Sequence, residues 1–526
     1  MSLVPQAHYL EIDEYRARLE KLKDLKDLGI DPYPHHFSAT DSLQNICVEW
    51  QDKEIAPFEE ANAKKTPFLH LAGRLVLMRA MGKNMFAHIQ DDTGRIQLMF
   101  ARDFTSVKGY EGQENLTACK LIEKKFDLGD IIGVSGYLFR TQKGELTLLA
   151  SEATLLCKSL LPLADKYSGL HDKQMRYRKR WLDMISSHDV VATFKQRSRL
   201  VKEIRDYFFQ QDFIEVETPV LQNNYGGAQA KPFTTHLNAL NQDMYLRISL
   251  EIPLKKLLVG GLPRVFEIGK VFRNEGIDRT HNPEFTMVEA YAAYWDYNDM
   301  MVFVENLFEK LTLSLFNTTT VLYDETQIDF KAPWKRLSML EAILELGGFD
   351  ARSATDEQLR DHLVSHTKFE AQEIKDLSRG LLIAKLFEEL AEPKLIQPTH
   401  IIDHPIETTP LCKPHRNPLL KSLGLVERFE SFVLGAEICN AYSELNDPLL
   451  QRKLLEDQVL AREKGDDEAH PMDEEFLEAI CQGMPPAGGV GIGIDRLVML
   501  LSNCHSIRDV LFFPIMRPEM HLETSE

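Results

Sequence analysis

The chain has 526 residues, 44% of them hydrophobic and 27% charged, which is enough for several domains with sizeable cores. Its formal net charge of -19 argues against a protein that coats DNA or membranes non-specifically. The seven cysteines include no C-x-x-C pair and no apolar run approaches ~20 residues, so neither a zinc knuckle, a disulfide framework nor a membrane span is expected, and the cytoplasm is the default location.

Residues 8–28 place Tyr15, Leu19, Leu22 and Leu25 at helical spacing, which predicts a helix within an N-terminal extension over 1–65. Lys21, Lys23 and Lys26 on it are either a solvated face or a contact for RNA. After the turn signal Asp31-Pro32-Tyr33-Pro34 the period changes to two. Strands are predicted at 68–80, 85–90, 95–100, 130–140 and 145–156, with a hairpin turn at Asp92-Thr93-Gly94 and a helix near 114–126. Five strands with one helix between the third and fourth match an OB-fold barrel over 66–160, or another small β-barrel. A linker is expected over 161–175, and a basic cluster follows in MRYRKRWLD (175–183). A helix near 188–211 then leads into a strand, FIEVETP, at 213–219. From 176 to 526 helices and strands mix without a βαβ rhythm, an α+β pattern, and 320–398 reads as a helical insertion.

Three separated segments carry chemistry. The first is the helix and strand ending in FIEVETPVL, with Pro219 after the strand. The second, GLPRVFEIGKVFRNEGIDRTHNPEFTMVEAY (261–291), reads as a strand presenting Arg273 and Glu275 on one face. A turn through His281-Asn282-Pro283 leads from it to a strand bearing Phe285, Glu289 and Tyr291 at period two. Taken alone, an Arg and a Glu beside such a hairpin are equally an ordinary cross-strand ion pair. The third, GGVGIGIDRLVMLL (488–501), is a strand with Gly488, Gly489, Gly491 and Gly493, running into a helix with Arg496 at the junction. Those glycines let backbone or ligand approach closely. The segment is no Rossmann turn, because no βαβ unit accompanies it.

In this order the three segments resemble motifs one, two and three of the class II aminoacyl-tRNA synthetases. F-R-N-E, H-N-P-E-F-T and G-x-G-x-D-R are the residues that carry the resemblance, and it covers nearly the whole chain. An N-terminal OB domain before such a core is similar to the aspartate, asparagine and lysine subgroup. The resemblance implies an antiparallel catalytic sheet and a homodimer built through motif one. It also implies attack of an amino-acid carboxylate on the α-phosphate of ATP, with catalysis by positioning and charge stabilisation. Arg273 would hold the α-phosphate and the attacking carboxylate, and Arg496 with His281 the outer phosphates. Glu275 would contact the adenine amino group, while the ring stacks on Phe285. Glu430 and Glu437 would hold Mg2+, although at such spacing two acids are otherwise surface charges.

GAEICNAYSELND (435–447) resembles the segment found in the lysine members of the subgroup. There Glu444 would take the ε-ammonium, aided by Glu289 and Tyr291, and Asn440 would bind the carboxylate. YGGAQAKPF (225–233) resembles the loop whose Gly227 lines the amino-acid site, and LRISLEIPLKKLLVGG (246–261) supplies Glu251 for the α-amino group. Pro253 stands where a common form of that stretch has an aromatic residue. In the barrel, Arg79, Phe86 and Gln97 match anticodon-reading positions, Phe86 being otherwise a partly buried core residue. The implied partners are ATP, L-lysine, tRNA(Lys) and a second copy of the chain, with no DNA and no membrane. Alternatives are an aspartate or asparagine member, a synthetase-like RNA-binding protein that has lost charging, and a lysine ligase acting on a protein. The paralogues of that last kind lack the OB domain.

Overall fold

The computed structural model describes residues 8–55, 66–163, 172–463 and 469–518, and divides into two units, Met1–His188 and Asp189–Glu526. Most of the linker expected at 161–175 lies outside the described residues, and a helix begins within it at Lys173.

In the first unit, alternation builds a barrel from β1 (Leu69–Met81), β2 (Asn84–Gln90), β3 (Arg95–Ala101), β4 (Ser106–Val107), β5 (Ile131–Arg140) and β6 (Leu146–Cys157). Their order is β3-β2-β1-β5-β6-β4, and a parallel pairing of β3 with β6 closes the sheet on itself. Met85, Ala87 and Ile89 of β2 point inward at period two and meet Leu71, Leu98, Ile132 and Leu148. The β2–β3 turn forms because Asp91 Oδ1 accepts from Thr93 N and Gly94 N at 2.7 and 2.8 Å. The helix expected near 114–126 is the shorter Ala118–Lys125, started by Thr117, whose hydroxyl accepts from Lys120 N. The N-terminal helix spans Asp13–Asp27 after a single 3-10 turn at His8–Glu11. Its Arg18 is buried, donating to the carbonyls of Leu128, Ser159 and Leu161, and its Lys21 pairs with Asp127 at 2.5 Å. Lys21 thus ties the helix to the barrel side of this unit.

The second unit is built on an eight-stranded sheet, ordered β15-β16-β17-β18-β19-β12-β11-β7. These strands are β7 (Ile214–Glu215), β11 (Arg264–Phe272), β12 (Glu284–Ala293), β15 (Lys335–Ser338), β16 (Thr399–Pro405), β17 (Leu425–Val433), β18 (Ala436–Ser443) and β19 (Ala487–Gly493). A small sheet of β8 (Leu221–Gln222), β9 (Thr234–Leu237) and β10 (Gln242–Leu246) stands apart from it. The central pairings are antiparallel, whereas β7 and β15 add in parallel at the two edges.

One face of the sheet is covered by the helix Tyr297–Phe316. A capping box of Asp296 and Asp299 starts it, and Asn317 in the left-handed region (φ 58°) ends it. Its Met300, Val304, Leu307, Phe308 and Leu311 bury one stripe against Val288, Ala290, Val490 and Ile492. Truncating one such leucine to alanine costs about 2–5 kcal/mol. The helix His188–Gln210 joins this core through Leu200, Ile204 and Phe208. It is tied to the third motif by Arg197, which pairs with Asp495 at 2.5 Å.

Three expectations change. FIEVETP is a strand only at Ile214–Glu215, because the Thr218 hydroxyl and amide both donate to Glu267 Oε2 and draw the chain off the sheet. The strand carrying the second motif stops at Phe272, before Arg273 and Glu275. There Arg273 N donates to Pro283 O and Asn274 N turns away to Lys231 O. The stretch 320–398 is not helical throughout: β13 (Thr320–Tyr323) and β14 (Thr326–Asp329) form a hairpin and β15 joins the main sheet, with helices only from Met339 onward. Its first part alternates at period two around Asp324, which sits at φ 49°.

Candidate active site

The register of the sheet assembles the site. Glu289 and Tyr291 of β12 face Gly491 and Gly489 of β19, which on its other side faces Asn440 and Tyr442 of β18. Small residues in the middle strand thus leave room between two functional strands. A Cβ on Gly489 would lie 1.9 Å from Glu444 Oε1 and 2.5 Å from Tyr291 Cε1. Gly227 is similarly constrained: its φ is +83°, and a Cβ there would meet Ser249 Oγ at 2.0 Å.

The cavity so formed holds about 410 Å³. Gly227, Glu251, Arg273, Glu275, His281, Phe285, Glu289, Tyr291, Glu430, Glu437, Asn440, Glu444 and Arg496 all line it. Arg79, Phe86 and Gln97 belong to the barrel of the first unit.

One end of the cavity is cationic and exposed. Arg496, in the first turn of the helix Ile494–Leu501, donates to the Glu437 carbonyl at 3.1 Å and lies 3.1 Å from His281 Nε2. The other imidazole nitrogen of His281 is 2.8 Å from Asp278 Oδ2. That contact and the backbone amides of the turn hold the Asp278 carboxyl well below the usual carboxylate range despite some desolvation. Arg273 donates from Nε to Ile248 O at 3.3 Å, and its guanidinium lies 5.2 Å from the centre of the Phe285 ring.

Glu430 and Glu437 sit on neighbouring antiparallel strands, on either side of a register shift at Ser431/Phe432. Burial, then repulsion from Glu430, raises the Glu437 pKa, with Arg496 and Arg428 opposing. Arg428 binds Glu430 at 2.5 Å, and its Nε donates to Asn440 Oδ1 at 3.1 Å. With its carbonyl oxygen engaged by Arg428, Asn440 has its amide hydrogens to offer a ligand, which suits a carboxylate.

The opposite end is acidic and buried. Glu289 accepts from Leu250 N and Tyr291 Oη, both at 3.0 Å, yet burial and the nearby Glu251 push its pKa up to about 7. Tyr442 Oη donates to Glu251 Oε2 at 2.6 Å. Glu444 is fully buried, and its Oε1 has no hydrogen-bond partner among the described residues. Pro253, in the first turn of the helix Glu251–Val259, replaces a donor that no intrahelical acceptor requires, so Glu251 keeps its place.

Sequence reasoning missed Tyr442 and Arg428. The signal for each was a two-residue offset along a strand, from Asn440 and from Glu430, which places each pair on one face.

In the barrel, Arg79 and Phe86 are direct cross-strand partners, and His88 faces Gln97. Phe86 rests on Met99, Ala101, Phe139 and Leu149, a cluster separate from the barrel's inner core. Gln97 donates to Glu145 Oε2 and accepts from Thr147 Oγ1, each at 2.8 Å, which adds Glu145 to that outer face.

Residues 172–517 match the family described as tRNA synthetases class II (D, K and N), and residues 69–156 match the OB-fold nucleic acid binding domain. The chain is 55% identical to a lysine–tRNA ligase of Chlamydia pneumoniae over 98% of both chains. It is 46% identical to one of Bacillus subtilis, covering 96% of this chain and 97% of that one. A lysine–tRNA ligase of Staphylococcus epidermidis is 44% identical, over 96% of this chain and 98% of its own.

Proposed function

The chain belongs to the class II tRNA synthetases of the aspartate, lysine and asparagine group, and from that premise we propose that it ligates L-lysine to tRNA(Lys) at the expense of ATP. The lysine carboxylate attacks the α-phosphorus of ATP, pyrophosphate leaves, and the lysyl group of the adenylate passes to the 3' end of the tRNA. The observation that carries the choice of lysine is the buried acidic end of the cavity, where Glu444, Glu289 and Glu251 converge. A buried carboxylate with an unsatisfied oxygen is costly until an ammonium meets it. Aspartate would add a further negative charge there, and asparagine would bring no side-chain charge at all.

Within this reading Arg273 bridges the attacking carboxylate and the α-phosphate, and its planar fork fits both. Asn440 donates to the carboxylate, Glu251 receives the α-ammonium, and Gly227 leaves room for the backbone of the amino acid. Phe285 stacks the adenine, Glu275 accepts from its amino group, and Arg496 with His281 holds the outer phosphates. Catalysis then rests on positioning and charge stabilisation, with no protein nucleophile.

Glu430 and Glu437 fit a divalent cation, taken as Mg2+: they are hard oxygen donors that repel one another across two strands. Among the described residues no three His, Cys, Asp or Glu side chains converge on a metal position, so these two carboxylates would hold the ion together with ligands other than such side chains. When bound, the ion neutralises charge on the triphosphate.

The barrel reads the anticodon through Arg79, Phe86 and Gln97, and the working species is a homodimer in the cytoplasm. Among the described residues no helix is long and apolar enough to cross a membrane. Amino-acid-dependent pyrophosphate exchange across all twenty amino acids, followed by charging of total tRNA, tests the reading. Exchange that runs on aspartate or asparagine in place of lysine overturns it.

A further inference from the structure

Behind two of the carboxylates that line the acidic end of the cavity stands an ammonium of the chain itself. Lys255 lies one helical turn after Glu251 and is fully buried. Its Nζ is 2.5 Å from Glu444 Oε2 and also contacts Glu251 Oε1. The rings of Tyr442 and Phe476 stand 5.5 and 5.9 Å from it, walling it from solvent. Burial works against this charge, but Glu251 and Glu444 more than offset it and hold the Lys255 pKa above the usual lysine value. Its neighbour Lys256 behaves as a surface residue, pairing with Glu475 at 2.7 Å.

Glu251 and Glu444 are the two carboxylates that Lys255 touches, while burial and Glu251 push the Glu289 pKa up to about 7 and Arg273 faces Glu275 and Glu437 as well. Burial keeps Tyr291, Tyr442 and the Cys412 thiol protonated, and it draws His470 down to about 4, aided by Lys255. Arg428, the next cation, is matched by Glu430. L-Lysine carries two ammonium groups, one for each of the carboxylates that Lys255 holds, whereas asparagine and aspartate carry one.

We propose that Lys255 is a specificity-determining residue, a resident ammonium that holds Glu444 and Glu251 as carboxylates ready for the two ammonium groups of L-lysine. The proposal rests on the reading of the pocket as lysine's. Wild-type exchange that runs on another amino acid defeats that reading, whereas the variants below bear on Lys255 alone.

Lys255→Met removes the charge at nearly constant volume. In pyrophosphate exchange its KM for lysine should rise at least about tenfold, because Glu444 and Glu251 lose the charge that keeps them ionised, while KM for ATP stays within about twofold. The defect should lessen from about pH 6 to about pH 8.5, since without Lys255 these carboxyls keep protons that only a rising pH removes. Lys255→Ala opens space for a small amine, and propylammonium should restore lysine activation where the neutral, similarly sized 1-butanol does not. A lysine KM within about threefold of wild type overturns the proposal. So does an equal, pH-independent loss for lysine and ATP, or failure of both variants to fold with and without propylammonium, which would make Lys255 a structural ion pair.

Discussion

Glu444 and Lys255 lie in direct contact, so a substitution at either is felt by both the ligand and the fold. Glu444→Gln keeps the shape but removes the charge proposed to meet the ε-ammonium and one of the two counter-charges of Lys255. Truncating one member of a buried charge pair costs about 2–5 kcal/mol, roughly thirty- to several-thousand-fold. That loss should appear in kcat/KM for lysine in pyrophosphate exchange, with KM for ATP far less altered because Arg273, Phe285 and Arg496 remain. A change under about threefold would remove Glu444 from the site. Glu289 gives the pH dependence. Its pKa of about 7 lies above the ordinary 4.5, so the empty enzyme holds a proton there that an unfolded chain would have lost. The stability this proton contributes is present below about pH 4.5 and is lost as pH rises through about 7. Lysine binding runs the other way, since only the ionised form attracts an ammonium. The kcat/KM for lysine should therefore climb between about pH 6 and pH 8 in the wild type and lose that limb in Glu289→Gln. An unchanged limb in the variant would assign the titration to another group.

At the level of elements, every residue lining the cavity comes from position 227 onward, so lysine activation is expected to need no residue of the barrel. Removing residues 1–160 should leave lysine-dependent exchange largely intact while charging of tRNA collapses; a parallel loss of both activities would contradict the division of labour. Phe86→Ala should weaken tRNA binding by about 1–3 kcal/mol, the worth of one base stacked on an aromatic ring. Normal charging kinetics in that variant would return Phe86 to a packing role against Met99 and Phe139. Much of this arrangement was legible in the residues, because periods of two and 3.6 are local properties and the motif glycines, arginines and acids stand at fixed offsets. What was not legible depends on pairing between distant strands. The end of β11 comes where Asn274 N donates to the distant Lys231 O, and β15 is fixed by β16, some sixty residues further on. Nothing local separates Lys255 from Lys256; only the packed helix shows that the first meets Glu444 and the second Glu475.

For the molecule as a whole, the eight-stranded sheet of the second unit ends on β7, whose outer backbone edge has no strand partner among the described residues. An open edge invites pairing or cover. The chain around it is also apolar at its surface: Phe209, Ile214, Val220 and Leu221 are 50%, 45%, 39% and 43% exposed. All four belong to the helix-and-strand segment of the first motif, through which the resemblance implies a twofold contact. Contiguous exposed apolar residues beside an unpaired edge mark an interaction surface, and a surface that meets its own copy closes as an isologous dimer. Light scattering at micromolar concentration should therefore give twice the chain mass of 60.4 kDa. Ile214→Lys places a charge on that surface without touching the cavity lining, so it should shift the mass toward one chain and lower thermal stability in a concentration-dependent way. A wild-type protein that stays at the mass of one chain with full lysine activation would show that the site needs no partner and that β7 is covered by other means.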